Sequence, residues 1–313
     1  MTKPHILQVG SYPEWDQVPL DAAFQMHRYF EAADKPAFLA QVGPQIQAIA
    51  TRGDLGAKAD MIAACPNLKL ISVYGVGYDA VDLDACRARG IHVTNTPNVL
   101  NEDCADLAVA MMLTGSRGII GASDWVRSGA WATKGSYPLQ RRVSGARAGI
   151  LGMGRIGAAV AKRLEGFGMD IAYSARAAKA APYAFIADPV ALAARSDFLF
   201  VTAIANAETR HIVNADVIAA LGPHGMLINI SRAGNIDELA LLDALESGNL
   251  GSAALDVFEG EPNLNPRFLA LSNVLLQPHH ASGTYQTRAA MGALMRENLL
   301  AYFTDKPLLT TVL

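Results

Sequence analysis

The stretch "GILGMGRIG" at residues 149–157 puts Gly152, Gly154 and Gly157 in G-x-G-x-x-G spacing. Taken alone the pattern is weak, because glycines also serve ordinary turns. Here it ends the apolar, strand-like run "ARAGILGMG" (146–154) and opens the helical stretch "AAVAKRLEGFG" (158–168). In a strand–turn–helix setting such glycines permit a tight turn and let backbone N–H groups approach a pyrophosphate at a helix N-terminus. A dinucleotide is therefore expected at this turn.

Working outward, further strand-like runs follow at "DIAYS" (170–174), "DFLFVTA" (197–203), "GMLINIS" (225–231), "SAALDV" (252–257) and "NVLLQ" (273–277). An earlier series comprises "HILQVG" (5–10), "IQAIAT" (46–51), "LKLISVYG" (68–75) and "IHVTN" (91–95). Helical spacing fills the intervals, including 21–33 and 81–89, and this alternation predicts parallel sheets with crossover helices. Between the two series, residues 101–125 read as helix, with Asn101 as a cap and Glu102 and Asp103 in the first turn, where the helix dipole favours acids. Another long helix is expected over 283–303.

The strand "DIAYS" poses a question of cofactor type. An acid that grips the adenosine ribose is expected near position 175, but the chain reads Ser174, Ala175, Arg176. Loss of the carboxylate together with gain of a cation favours a ribose 2′-phosphate, with Arg176 pairing bidentately, Ser174 donating its hydroxyl and Lys179 adding charge. NADP(H) is accordingly expected over NAD(H).

Bulk properties bound the rest. The 313 residues are 51% hydrophobic and 18% charged, which suits an enzyme with a real core and about two domains. A net charge of −3 gives no general reason to bind nucleic acid or an anionic membrane. Cys65, Cys86 and Cys104 form no C-x-x-C pair, so neither a zinc site nor a disulfide framework is suggested, and reduced thiols in the cytoplasm are expected. The opening "MTKPHILQVG" reads as a first strand, neither signal peptide nor membrane span. No metal site is expected.

Three segments carry chemistry-bearing residues at strand carboxyl ends, where ligands bind in open α/β sheets. "INISRAGNIDELALLDAL" (228–245) supplies Arg232, "ALDVFEGEP" (254–262) supplies Asp256, Glu259 and Glu261, and "LLQPHHASGTYQTR" (275–288) supplies His279 and His280. Arg232 offers a fork of donors that can hold an anion. An imidazole can give or take a proton near neutral pH, and a carboxylate bonded to its other ring nitrogen would orient it.

These segments, with "GVGYDAVDLDA" (75–85), "NTPNVLNEDCADLAVAMML" (95–113) and "GSYPLQRRVSGARAGILGMGRIG" (135–157), resemble the D-isomer-specific 2-hydroxyacid dehydrogenases over nearly the whole chain. The nearest likeness is to the glyoxylate/hydroxypyruvate reductase branch, with hydroxyphenylpyruvate reductases nearby. The resemblance implies Arg232, Glu261 and His279 as the catalytic set, the histidine being the one directly after the proline. It implies Val76 and Gly77 as backbone donors to the substrate carboxylate, Tyr74 shaping the pocket, and Asp256 on the nicotinamide amide. It places Arg155 and Ile156 in the phosphate loop and Thr202 and Arg232 beside the nicotinamide. Ile204 stands where the family usually has proline, and "SRAG" (231–234) replaces a commoner pattern.

The fold expected is a Rossmann-type doubly wound parallel sheet over 99–282, plus a smaller flavodoxin-like α/β substrate domain from 1–98 and 283–313, with the site in the cleft between them. The function expected is NADPH-dependent reduction of a small 2-oxoacid, glyoxylate or hydroxypyruvate, by a homodimer formed through 100–145. An aryl 2-oxoacid reductase is the alternative within enzymes, and a nicotinamide-sensing corepressor the alternative from another class. Phosphoglycerate and formate dehydrogenases rank lower, the first for want of a regulatory domain, the second because an amide would stand at 261.

Overall fold

The computed structural model describes residues 3–313; Met1 and Thr2 lie outside the described residues. The chain divides into two compact units, one formed by the chain through Leu100 with Gly283–Leu313, the other by Asn101–Ser282.

In the first unit, β1 (His5–Gln8), β2 (Gln25–Arg28), β3 (Ala48–Arg52), β4 (Leu70–Tyr74) and β5 (His92–Thr94) form one sheet. All pairings are parallel, in the order β2-β1-β3-β4-β5, which is the flavodoxin-like order. The interior strand β4, "LISVY", is buried along its whole length, as a parallel strand covered on both faces must be. Residues 21–33 depart from the helix expected of them. The helix Glu14–Ala23 ends there, β2 follows, and a 3₁₀ turn covers Tyr29–Glu31. β2 pairs with β1 at the sheet edge, His5 opposite Gln25. This backbone pairing outranks the side-chain spacing of a strand too exposed to show a clear period.

The long helix Tyr285–Phe303 is capped by Thr284, whose side chain accepts the Thr287 N–H at 3.1 Å. It lies against β4, where Ser72 Oγ donates to the Met295 carbonyl at 3.3 Å. Its Gly292 faces the buried carboxylate of Asp16 on the helix Glu14–Ala23. Burial pushes the Asp16 carboxyl up, against the opposing pull of Arg296 and the Tyr74 hydroxyl.

The second unit holds β6 (Arg147–Leu151), β7 (Asp170–Ser174), β8 (Ala184–Phe185), β9 (Phe198–Val201), β10 (Met226–Asn229), β11 (Ser252–Leu255) and β12 (Val274–Leu276). Their order is β12-β11-β10-β9-β6-β7-β8, again all parallel. Chain direction across the sheet reverses between β6 and β9, so the glycine turn after β6 sits at the topological switch point of a doubly wound, Rossmann-type sheet. Phe198, Leu227, Leu242 and Phe268 fill the core. Asp188, Asn214 and Asp237 cap three of the covering helices by accepting the N–H groups of Ala191, Val217 and Ala240. The helix Asn101–Arg117 buries Ala108, Met111 and Met112, and its Glu102 and Asp106 pair with Arg163 at 2.8 and 2.6 Å. Among the described residues no single helix is long and apolar enough to cross a membrane.

A Cβ at position 292 would lie 1.9 Å from Asp16 Oδ1. Gly292→Ala is expected to lower unfolding stability by about 1–3 kcal/mol through overpacking. An unchanged urea midpoint would show that the two helices part without cost.

Candidate active site

β6 ends at Leu151, and the chain turns through Gly152 to Gly154 into the helix Arg155–Glu165. Gly152 has φ +106°, and a Cβ there would sit 2.5 Å from the Ala203 nitrogen. A Cβ on Gly157 would fall 2.2 Å from the Gly152 carbonyl oxygen. These two glycines are therefore required by the protein's own packing. Gly154 is different, since a Cβ there would meet no protein atom within 4 Å. The space before it is open, and the N–H groups of Arg155, Ile156 and Gly157 have no acceptor among the described residues. First-turn donors at the positive end of a helix fit a diphosphate. Thr202 adds a clasp from the end of β9, its Oγ1 donating to the Gly152 carbonyl at 2.7 Å. The segment after it closes on itself, with Asn206 Oδ1 accepting the N–H groups of Glu208 and Thr209 and Thr209 Oγ1 donating to the Ile204 carbonyl at 2.6 Å.

At the end of β7, Ser174 is buried and its hydroxyl donates to the Ala187 carbonyl at 3.0 Å. Arg176 and Lys179 are exposed. Lys179 is tied down by its backbone N–H, which donates to Tyr173 Oη at 2.7 Å. Arg176 makes no ion pair or side-chain hydrogen bond among the described residues.

The ends of β10, β11 and β12 bring the other site residues toward one sheet edge. After β10 a network fixes the chain around Arg232. Asn229 Oδ1 accepts Ser231 N–H and Oγ–H at 2.9 and 2.7 Å, while Asn229 Nδ2 donates to the Arg232 carbonyl at 3.1 Å. Asn235 Nδ2 donates to Ser231 Oγ at 3.0 Å and to the Ala203 carbonyl at 2.9 Å. The Arg232 guanidinium donates to the Ser231 carbonyl at 2.9 Å.

After β11, Glu261 bends back so that Oε1 accepts the Phe258 N–H at 2.7 Å, while Oε2 meets His279 Nδ1 at 2.7 Å. Burial works to raise the Glu261 carboxyl, but the hydrogen bonds from His279 and Phe258, aided by the charges of His279 and Arg232, hold it below the usual carboxylate range. With Glu261 ionised, Nδ1 carries the hydrogen in this contact, and Nε2 is the ring atom left for other chemistry. The His279 side chain is 35% exposed and its backbone is left-handed at φ +52°. It is thus His279, not His280, whose ring meets Glu261. Asp256 is wholly buried, and its carboxylate accepts the backbone N–H groups of His280 and Ala281.

In the first unit, the loop after β4 is braced by Asn95 Nδ2 on the Val76 carbonyl at 2.9 Å and Thr96 Oγ1 on the Gly75 N–H at 3.1 Å. The N–H groups of Val76 and Gly77 have no acceptor among the described residues, an adjacent donor pair suited to a carboxylate. Tyr74 is buried, and its hydroxyl donates to the Arg288 carbonyl at 2.7 Å.

Sequence reasoning did not single out Asn229, Ser231 or Asn235. A signal existed in the polar Asn229, placed last in the otherwise apolar run "MLIN" of a fully buried strand, because a buried amide needs partners.

A family model described as D-isomer specific 2-hydroxyacid dehydrogenase, NAD binding domain, matches residues 109–281. The chain is 45% identical over 294 residues to hydroxyphenylpyruvate reductase of Plectranthus scutellarioides, covering 94% of each. It is 40% identical over 313 residues to 2-ketogluconate reductase of Gluconobacter oxydans, covering 100% of this chain and 99% of that one. Among solved structures, the 2-hydroxyacid dehydrogenase of Ketogulonicigenium vulgare Y25 superposes with a TM-score of 0.94 at 68% identity, covering 100% of this chain and 99% of the other. The NADPH-dependent glyoxylate/hydroxypyruvate reductase of Sinorhizobium meliloti, in complex with NADP and malonate, gives 0.93 at 39% identity, covering 99% and 97%. With a dinucleotide turn at the switch point and an imidazole–carboxylate pair at the same sheet edge, the chain belongs to the D-isomer-specific 2-hydroxyacid dehydrogenases, in the glyoxylate/hydroxypyruvate reductase branch, and is an oxidoreductase of that family.

Proposed function

We propose that this chain reduces glyoxylate or hydroxypyruvate with NADPH. The observation that carries the reading is the 2.7 Å contact between Glu261 and His279. It holds one imidazole nitrogen as a donor to a carboxylate and frees the other to protonate a carbonyl oxygen. The bound cofactor would supply hydride to the C2 carbon. Arg232 holds the substrate carboxylate and polarises the carbonyl through its fork of donors. In the first unit, the N–H groups of Val76 and Gly77, without an acceptor among the described residues, suit a carboxylate. Gly152, Gly154, Arg155, Ile156 and Gly157 line the diphosphate, and Thr202 steadies their turn.

NADPH is favoured over NADH because β7 ends without a carboxylate and Arg176 stands there exposed and unpaired. Lys179 reinforces the charge. Ser174 supports this less than its position suggests, because its hydroxyl already serves the Ala187 carbonyl. The S. meliloti enzyme, NADPH-dependent and complexed with NADP, supports the same choice. An aryl 2-oxoacid is the second reading, supported by the 45% identity to hydroxyphenylpyruvate reductase. The 2-ketogluconate relative adds a polyhydroxylated acid to the substrates worth testing. A homodimer through 100–145 is supported by the exposed Ile119, Ile120, Val126, Trp131 and Leu139, more apolar surface than a monomer usually leaves in one segment. The buried cysteines Cys65, Cys86 and Cys104 suit a reducing compartment.

A steady-state panel of glyoxylate, hydroxypyruvate, hydroxyphenylpyruvate and 2-ketogluconate, each with NADPH and NADH, tests the reading. The highest kcat/KM should fall on one of the first two with NADPH; a clear maximum on the aryl acid would move the assignment to the second reading. In the same panel Arg176→Ala should raise the KM for NADPH about tenfold, the worth of one charge-assisted contact, and leave NADH unchanged. Equal loss for both would remove the 2′-phosphate role.

Replacing His279 by Ala should lower kcat by about 10²-fold or more while NADPH affinity, read by fluorescence titration, holds. Near-normal turnover would assign the proton to another group.

Glu261 has a folded pKa below its unfolded one, so its stabilising effect is complete above the unfolded value and fades as pH falls through the lowered one. Glu261→Gln should therefore be less stable than the parent at neutral pH, with the gap closing on acidification below the usual carboxylate range. Urea titrations at both pH values check this, and a gap independent of pH would contradict it.

A further inference from the structure

Three neighbouring strands of the first unit carry polar groups at their carboxyl ends. In the order β2-β1-β3-β4-β5, the segment after β1 holds Tyr12, β3 ends at Arg52, and the loop after β4 offers the N–H groups of Val76 and Gly77. Arg52 stands opposite Tyr74 in the register of β3 and β4. Its turn is fastened, with the Gly56 N–H donating to the Arg52 carbonyl at 2.9 Å and Thr51 Oγ1 donating to the Gly56 carbonyl at 2.6 Å. Its stem lies over the end of β1, where a Cβ on Gly10 would stand 3.0 Å from Arg52 Cδ.

The head of this side chain is held by Asp54. Nε and Nη2 donate to Oδ1 and Oδ2 at 3.1 and 2.9 Å, while Nη1 has no acceptor among the described residues. Both side chains are partly open to solvent, at 42% and 33% exposure. Tyr12 supplies an independent observation. It is buried, its ring lies 5.3 Å from that of Tyr74, and its hydroxyl has no hydrogen-bond partner among the described residues. Burial pushes that hydroxyl up, and the Arg52 charge is what opposes the rise. A buried hydroxyl without a partner is costly, and beside a guanidinium with donors to spare it points to a ligand oxygen that would satisfy both.

The chemistry of the pair says which oxygen. With Asp54 balancing its charge, Arg52 presents donors beside an acceptor, which matches an alcohol, able to accept and donate at once, better than a second anion. An aryl ring would cover the pair and replace none of its bonds to water. β3 is the immediate neighbour of β4, about 5 Å away. A 2-oxoacid whose carboxylate lies on the Val76 and Gly77 N–H groups therefore has its third carbon and those beyond within the span of the Arg52 side chain.

We infer that Arg52, braced by Asp54, is a specificity-determining residue that selects 2-oxoacids bearing hydroxyl groups from C3 onward over those with apolar or aryl tails. This rests on the 2-oxoacid reduction proposed above and narrows its substrate class. Hydroxypyruvate and 2-ketogluconate carry such a tail, glyoxylate has none, and hydroxyphenylpyruvate presents a ring.

Hydroxypyruvate and pyruvate differ only in the C3 hydroxyl, so the ratio of their kcat/KM values with saturating NADPH isolates the contact. The test measures that ratio, and the ratio of hydroxypyruvate to glyoxylate, in the parent, in Arg52→Leu and in Arg52→Gln. The parent should favour hydroxypyruvate over pyruvate. Both ratios should fall about tenfold in the variants, the worth of one hydrogen bond to a charged group, with the change in KM rather than kcat. If Arg52→Leu does not fold, Arg52→Gln carries the comparison. Ratios that survive substitution would overturn the inference. So would an equal loss on all three acids, which would place Arg52 on the shared 2-oxoacid head. In either case a parent that reduces glyoxylate leaves the proposed reaction standing, whereas a parent that reduces none of the acids removes that reaction and the inference with it.

Discussion

The contact from Glu261 Oε2 to His279 Nδ1 joins residues 18 apart in the chain, and it exists because two neighbouring strands run the same way. β11 and β12 pair in parallel with Leu255 opposite Leu276, so the segments that leave them emerge together at one edge. Glu261 turns back within six residues of the strand end and is held by the Phe258 N–H. The imidazole is thereby oriented by a carboxylate that is itself oriented by backbone. A buried acid without those donors would be driven towards its neutral form; with them it stays ionised and keeps its grip on the ring. In an antiparallel pair the two segments would leave from opposite edges, and no local substitution could bring the side chains together.

The glycine turn illustrates how one short motif answers to two demands. Gly152 and Gly157 are fixed from within, by the crowding of Ala203 and of the turn's own carbonyl. Gly154 is fixed by nothing in the protein, and its lack of a side chain serves only an approach from outside. The Thr202 hydroxyl bridges the two sides of the switch point, coupling the strand that ends beside the turn to the turn itself.

Much of this was legible in the residues. The apolar runs located the central strands to within a few positions, since parallel strands buried on both faces carry a continuous signal, and the two-sheet architecture followed. The edge strand β2 was not legible, because its four residues "QMHR" are only partly buried and carry no alternation. The pairing of Glu261 with His279 could be anticipated only through the family resemblance, because strand-end position alone reads as readily as a surface acid and a satisfied histidine. The support beneath them could not be anticipated. Asn229, Ser231 and Asn235 act through hydrogen bonds that depend on loop conformation, and side chains alone do not encode those geometries at long range. Ser174 shows the same limit in reverse, for its position suggested a ligand contact while its hydroxyl serves the Ala187 carbonyl.

The end of β7 has a further consequence. Arg176 hangs from the sheet by its backbone alone, while Ser174 beside it is stitched into the interior. Exchange of a surface side chain with no internal partner usually shifts stability by no more than about 0.5 kcal/mol. The architecture therefore separates what must stay for the sheet to form from what is free to drift. A lineage carrying this fold could revise the exposed residue at the end of β7 in a single step, with the imidazole and carboxylate at the ends of β12 and β11, five and four strands away, left untouched.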